Sequence, residues 1–184
     1  GLPPRRHGAI INGGFRDERP YGTIRNGIPL LPERLLQAGY RVMYGGVQLV
    51  RTEPDLAHRL SGAEFIGPFA PGDYQRQLEQ RGLFLGDMVS QREPVIDHSN
   101  GRPVTHHAAG TATSVFPLRE DLFFDCVVAR NIVKAIRSHQ ADASQPIALF
   151  ANFWLPHPPL WAPQAFAHLI DPNQVTLKAT VGKW

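Results

Sequence analysis

A single cysteine, Cys126, is present in 184 residues. That excludes a disulfide framework within the chain and any zinc site built on several thiolates. No apolar run reaches the ~20 residues that a membrane-spanning helix requires. The opening stretch GLPPRRHGAIINGG has no signal-peptide core; localisation stays open, with the cytoplasm favoured over secretion. Its first residue is not Met, so the chain is expected to be an internal piece of something longer. Lysine is scarce: it occurs only at Lys134, Lys178 and Lys183, and the net charge of +3 rests on arginine. Arginine suits oxyanions such as phosphate, carboxylate and sulfate. The arginines are scattered, with no basic stripe or interleaved aromatic patch, which argues against a nucleic-acid surface. A Walker-type phosphate loop is excluded as well, because Asn12-Gly13-Gly14 runs into Phe15 and Arg16 with no lysine. Internal repeats and low-complexity segments are also lacking.

What is there begins with an ordinary globular composition, 42% apolar and 19% charged, in a chain long enough for one domain with a sizeable core. The most informative stretch is residues 146–163, PIALFANFWLPHPPLWAP. Its first eight residues form an apolar run with almost no polar relief, which suits a strand buried on both faces. Pro156, Pro158 and Pro159 then stop the ladder, since proline cannot donate to it. His157 is therefore expected at the mouth of a buried strand, and in open α/β sheets ligands sit outside the carboxyl ends of strands.

Elsewhere the pattern is helix followed by strand, which favours α/β over all-α. Residues 1–29 read as loop with one brief element. Residues 32–38 read as a short helix with Pro32 in its first turn and Gly39 as its stop, and residues 40–44 as a strand ended by Gly45-Gly46. A polar loop follows, then a helix capped by Asp73 and closed by Gly82. Residues 83–117 read as one long loop. The strongest helix is predicted over 119–139, with Leu122, Cys126, Ala129, Val133 and Ile136 as its apolar stripe. Cys126 on that stripe is assigned to packing rather than chemistry. A last short helix is expected over 163–170. His106-His107 beside Asp97 and His98 match no helical metal-binding spacing and are read as loop composition.

The segment LPHPPLWAPQAFAHLIDPNQVTL resembles part of the sulfatase and phosphonate monoester hydrolase families, within the alkaline-phosphatase-like superfamily. A second region, GLPPRRHGAIING followed by IPLLPERLLQAGYRVMYGG, is similar to the family segment after the nucleophile motif and to the helix, GY-type turn and Gly-ended strand beyond it. The resemblance covers roughly three quarters of the chain. It implies a partial alkaline-phosphatase-like fold, a mostly parallel sheet flanked by helices, with residues 1–184 part of a single α/β domain truncated at both ends. It also implies that His157 contacts the sulfuryl or phosphoryl group and that Asn12 reaches the substrate. Asn26, in RNGIPL, is the rival placement for that asparagine, and either could instead be an ordinary Asn-Gly turn. A divalent metal, Ca²⁺ or Mn²⁺, is implied by the family, with its ligands outside this chain. The implied partner is a small anionic ester, with no nucleic acid and no membrane; a homo-oligomer of the full-length protein stays open.

Two departures from the family pattern stand out. Where many sulfatases write Gly-Lys-x-His after this strand, Gly46 is followed by Val47, Gln48 and Leu49. Gly1-Leu2-Pro3-Pro4-Arg5 keeps the spacing of Cys/Ser-x-Pro-x-Arg but has glycine where the residue converted to formylglycine must stand. The chain thus reads as a fragment of a sulfuric or phosphonic/phosphoric ester hydrolase without a credible nucleophile. The alternative is a non-catalytic binding or scaffold protein of that fold, with residues 83–117 contacting a partner. An upstream aspartate pair with Cys/Ser-x-Pro-x-Arg, and a downstream Asp-His or Asp-Asn, would separate the two. Either way, the purified chain should not turn over p-nitrophenyl sulfate or a phosphonate monoester with Mn²⁺ or Ca²⁺ added. Metal-dependent turnover above an unrelated-protein control would overturn this expectation.

Overall fold

The segment RVMYGG carries apolar residues with no alternation, and the structure shows why: helices cover both of its faces. The computed structural model describes residues 2–9, 22–84, 92–97, 104–109, 113–140, 144–157, 160–169 and 171–176. The chain divides into two compact units, Gly1–Gln77 with Phe124–Trp154 and Leu78–Phe123 with Leu155–Trp184.

The first unit holds α1 (Pro4–His7), β1 (Thr23–Ile24), α2 (Leu31–Gln37), β2 (Arg41–Gly46), β3 (Arg51–Thr52), α3 (Leu56–Arg59), β4 (Glu64–Ile66), α5 (Phe124–Gln140) and β8 (Ile147–Asn152). Strand β2 is central in a parallel three-stranded sheet of order β4-β2-β8, and β1 pairs with β3 in a second parallel ladder. The fold is therefore mixed α/β with short parallel sheets flanked by helices. On one face of β2, Tyr44 packs with Leu56 and Leu60, and Leu36 of α2 lies against that cluster. On the other face, Gly45 lies under Ile132 of α5: a Cβ there would stand 2.7 Å from its Cγ1. Register adds an aromatic row. Phe65, Tyr44 and Phe150 are aligned across the three strands, with ring centroids 6.0 and 5.8 Å apart. Each such pair contributes about 0.5–1.5 kcal/mol beyond its area burial.

Helix α2 forms where the sequence places it, and Gly39 ends it in the left-handed region at φ +83°. Several other expectations change. The long helix starts at Phe124 rather than near 119, because Phe123 is extended at ψ 137° after a 3₁₀ turn, Glu120–Leu122. Its buried stripe is Phe124, Val128, Ile132, Ala135 and His139, while Val133 is 43% exposed. The predicted stripe took its phase from Leu122, which lies outside the helix. Cys126 is half-buried.

The strand over 147–152 is present, but it is not buried on both faces: it is half-buried, and Ala151 and the following Phe153 are exposed. The doubly covered strand is β2, because β2 and not β8 lies in the middle of the three. Asp73 stands inside the first turn of α4 (Pro71–Glu79) rather than at its cap, since Pro71 tolerates the first position, where no N–H is needed. The polar loop before it contains β3, α3 and β4.

Within the second unit, the expected long loop contains an antiparallel hairpin, β5 (Arg92–Asp97) with β6 (Val104–Ala109), and β7 (Thr113–Val115). Strand β7 pairs in parallel with β9 (Leu160–Ala162). Phe116 donates its N–H to Ala162 at 2.8 Å and packs on Phe123 and Trp161, with centroids 5.1 and 6.2 Å away. Residues 163–169 make successive turns rather than a helix, with i→i+3 bonds such as Phe166 N–H to Pro163.

Gly46 ends β2 at φ +83°, and a Cβ there would collide with the carbonyl oxygen of Asn152. Gly46→Ala should therefore destabilise the chain by roughly 2–5 kcal/mol, combining left-handed backbone cost with overpacking. Chemical denaturation of the two variants measures this; a loss below about 0.5 kcal/mol would contradict the close approach.

Candidate functional site

Parallel strands deliver their carboxyl ends to one edge, and here β2 and β8 stop in register, Gly46 opposite Asn152. The Val47 N–H donates to Asn152 O at 2.9 Å and the Gln48 N–H to Phe69 O at 3.1 Å, so the chain leaving β2 is pinned as it turns. Val47 is buried and Leu49 half-exposed, so the positions where the resemblance looks for cationic side chains present apolar ones. The Asn152 amide is the polar group left at this edge. Its Nδ2 is buried without a partner among the described residues. Burial pushes the Tyr44 phenol above its ordinary value, and the Asn152 side chain beside it works in the opposite direction without reaching good hydrogen-bond geometry.

Beyond β2 lies a cleft of about 620 Å³, with Gln48, Thr23, Arg25, Arg51, Glu53 and Asp55 on its walls. Arg25 is held from behind: its N–H donates to His7 O at 2.9 Å and its side-chain stem lies against Gly8, where a Cβ would come within 2.8 Å. Among the described residues neither Arg25 nor Arg51 forms an ion pair. Asp55 caps α3, accepting the His58 N–H at 2.9 Å.

The sequence-predicted residues fall in different places. Asn26 is exposed in a turn of the first unit, its Oδ1 accepting the Gly27 N–H at 2.8 Å, and it borders a second cleft of about 390 Å³ with Arg34, His58 and Arg59. His157 belongs to the second unit, half-buried in a bend five residues past Asn152. Asn12 and His98 lie outside the described residues, as do the side chains of Asp97, His106 and His107. Among the described residues no three His, Cys, Asp or Glu side chains converge. The sequence did not single out Arg25, Arg51 or Asn152. Only the scarcity of lysine pointed toward arginine at all.

The loop bearing Asn26 is fixed by Arg59, whose side chain is 7% exposed. Its Nε and Nη2 donate to Glu33 at 2.6 and 2.8 Å, and Nη2 also donates to Ile28 O at 2.5 Å. Burial pushes the Glu33 carboxyl up, but the hydrogen bonds from Arg59 and the Leu30 N–H, with the charges of Arg59 and Arg34, hold it below its ordinary 4.5. A lowered folded value means stability that is full above the ordinary carboxyl range and lost as pH falls through the folded value. Melting temperature should therefore drop below about pH 4, and Glu33→Gln should abolish that part of the acid slope. At neutral pH the same variant should lose about 1–3 kcal/mol, because Arg59 is left under-satisfied. Parallel acid slopes for the two proteins would contradict the assignment.

No family model matches the chain, and no curated protein matches it.

Proposed function

We propose that the chain is part of a sulfuric or phosphonic/phosphoric ester hydrolase with an alkaline-phosphatase-like fold. The observation that carries this reading is the register of β2 and β8. Their carboxyl ends coincide at Gly46 and Asn152, and each strand leads directly into a segment that the resemblance assigns to substrate contact. One is Val47 to Leu49; the other is the turn that carries His157. Parallel strands ending together beside a cleft is the arrangement in which α/β proteins bind ligands.

In this reading His157 donates a hydrogen bond to an oxygen of the tetrahedral group, or a proton to the departing alkoxide. Charge grows on those oxygens as the bond to sulfur or phosphorus breaks, so the contact strengthens in the transition state. Asn12, or Asn26 in its place, is the asparagine that the resemblance assigns to substrate contact. The nucleophile and the family's divalent metal belong to segments other than this chain. A non-catalytic descendant of the fold is the second reading, favoured by the apolar Val47 and Leu49 where oxyanion-binding side chains are expected.

His157→Ala in the complete gene product should lower kcat about 10²-fold or more on a sulfate or phosphonate monoester. The melting temperature should change little. Equal kcat values would remove His157 from the chemistry, and absence of metal-dependent turnover in the complete wild type would favour the non-catalytic reading.

A further inference from the structure

We infer that the cleft beside β1 and β3 binds a small zwitterion, with an oxyanion at one end and an ammonium group at the other. The inference stands on the charge pattern of the walls and does not depend on the hydrolase reading.

Arg25 directly follows β1 and Glu53 directly follows β3. The two strands are paired with Thr23 opposite Arg51, and the Glu53 N–H extends the ladder to Ile24 O at 3.3 Å. Thr23, Arg25, Arg51 and Glu53 all line the cleft, bringing two arginines and one glutamate to a wall that Asp55 also lines.

Arg25, Arg51 and Glu53 form no ion pair among the described residues, although they share one concave space. The Arg25 side-chain stem also packs against Gly8. A simple anion would gain from the two arginines and lose to Glu53 and Asp55. A simple cation would meet the reverse. A ligand carrying both charges satisfies both sets, with the Gln48 amide and Thr23 hydroxyl as neutral partners. The volume of about 620 Å³ exceeds what such a molecule needs, so the cleft takes its charged end and leaves room for a substituent.

Taurine, ethanesulfonate and ethylammonium separate these terms, and none contains an ester bond, so binding is read without any hydrolysis. Calorimetric or NMR titration of the full chain should find taurine at least about tenfold tighter than either single-charge probe. Arg51→Gln should weaken taurine and ethanesulfonate alike, by about tenfold. Glu53→Gln should weaken taurine while strengthening ethanesulfonate. Both positions are exposed, so the fold should survive, and the wild-type comparison needs no variant at all. Ethanesulfonate binding as tightly as taurine would reduce the cleft to an anion site and overturn the proposal. No binding by any of the three would overturn it too. Neither result bears on the hydrolase reading, which stands or falls on turnover by the complete protein.

Discussion

The contact on which the first unit depends is the approach of Gly46 to the carbonyl of Asn152. It brings the ends of β2 and β8 together with nothing between them and lets the chain turn at once into Val47, whose N–H closes the junction on the same carbonyl. Gly45, one step earlier, gives Ile132 of α5 room to rest on the sheet. Two adjacent glycines thus set both the spacing of the strands and the height of the helix. A side chain at either place would push an element away. The Tyr44 row on the opposite face would then lose its alignment with Phe65 and Phe150.

Much of this arrangement could be read from the residues. Pro32 and Gly39 bracket α2, and the helix-then-strand order led to α/β. The apolar run at 146–153 does contain a strand, Ile147–Asn152, but hydrophobicity alone misplaced its burial. A run without alternation says that both faces are apolar, not that both are covered. Coverage depends on position in the sheet, and β2, with its tyrosine and two glycines, took the centre. The stripe of α5 failed for a related reason. Spacings of three and four residues fit two phases of one helix about equally well, and the phase was set by Leu122, which falls in the preceding turn. The hairpin of β5 and β6 escaped notice because glycine, proline and histidine around it carry no clear period.

The candidate residues were legible only where a motif named them. His157, and Asn12 with Asn26 as its rival, were named by resemblance alone. Arg25, Arg51 and Glu53 lie in ordinary-looking sequence, and only the fold brings them to one cleft. A two-residue strand has no pattern that a sequence can display. Asn152 is hidden differently. It sits within an apolar strand, where one amide looks like an interruption until the register shows it opposite Gly46.

The arginines of the first unit divide by what surrounds them, and the division separates architecture from recognition. The Arg59 side chain is almost wholly buried; its Nε and Nη2 donate to Glu33 and Ile28, and its Nη1 is buried without a partner among the described residues. Removing water from a guanidinium costs several kcal/mol unless such bonds replace it, so a residue so placed is committed to the fold. Arg41 is half-exposed, sharing Glu64 and His139, and a pair of that kind contributes about 0–1 kcal/mol. Arg25 and Arg51 keep their hydration and have no carboxylate within ion-pair distance among the described residues. The fold gains little from them where they stand. Charges kept solvated and unpaired on residues that line a concavity retain their full interaction energy for a ligand, and desolvation is met only when one arrives. That cost is smaller for a partner whose own two charges match the wall, because each buried charge then meets its complement instead of water.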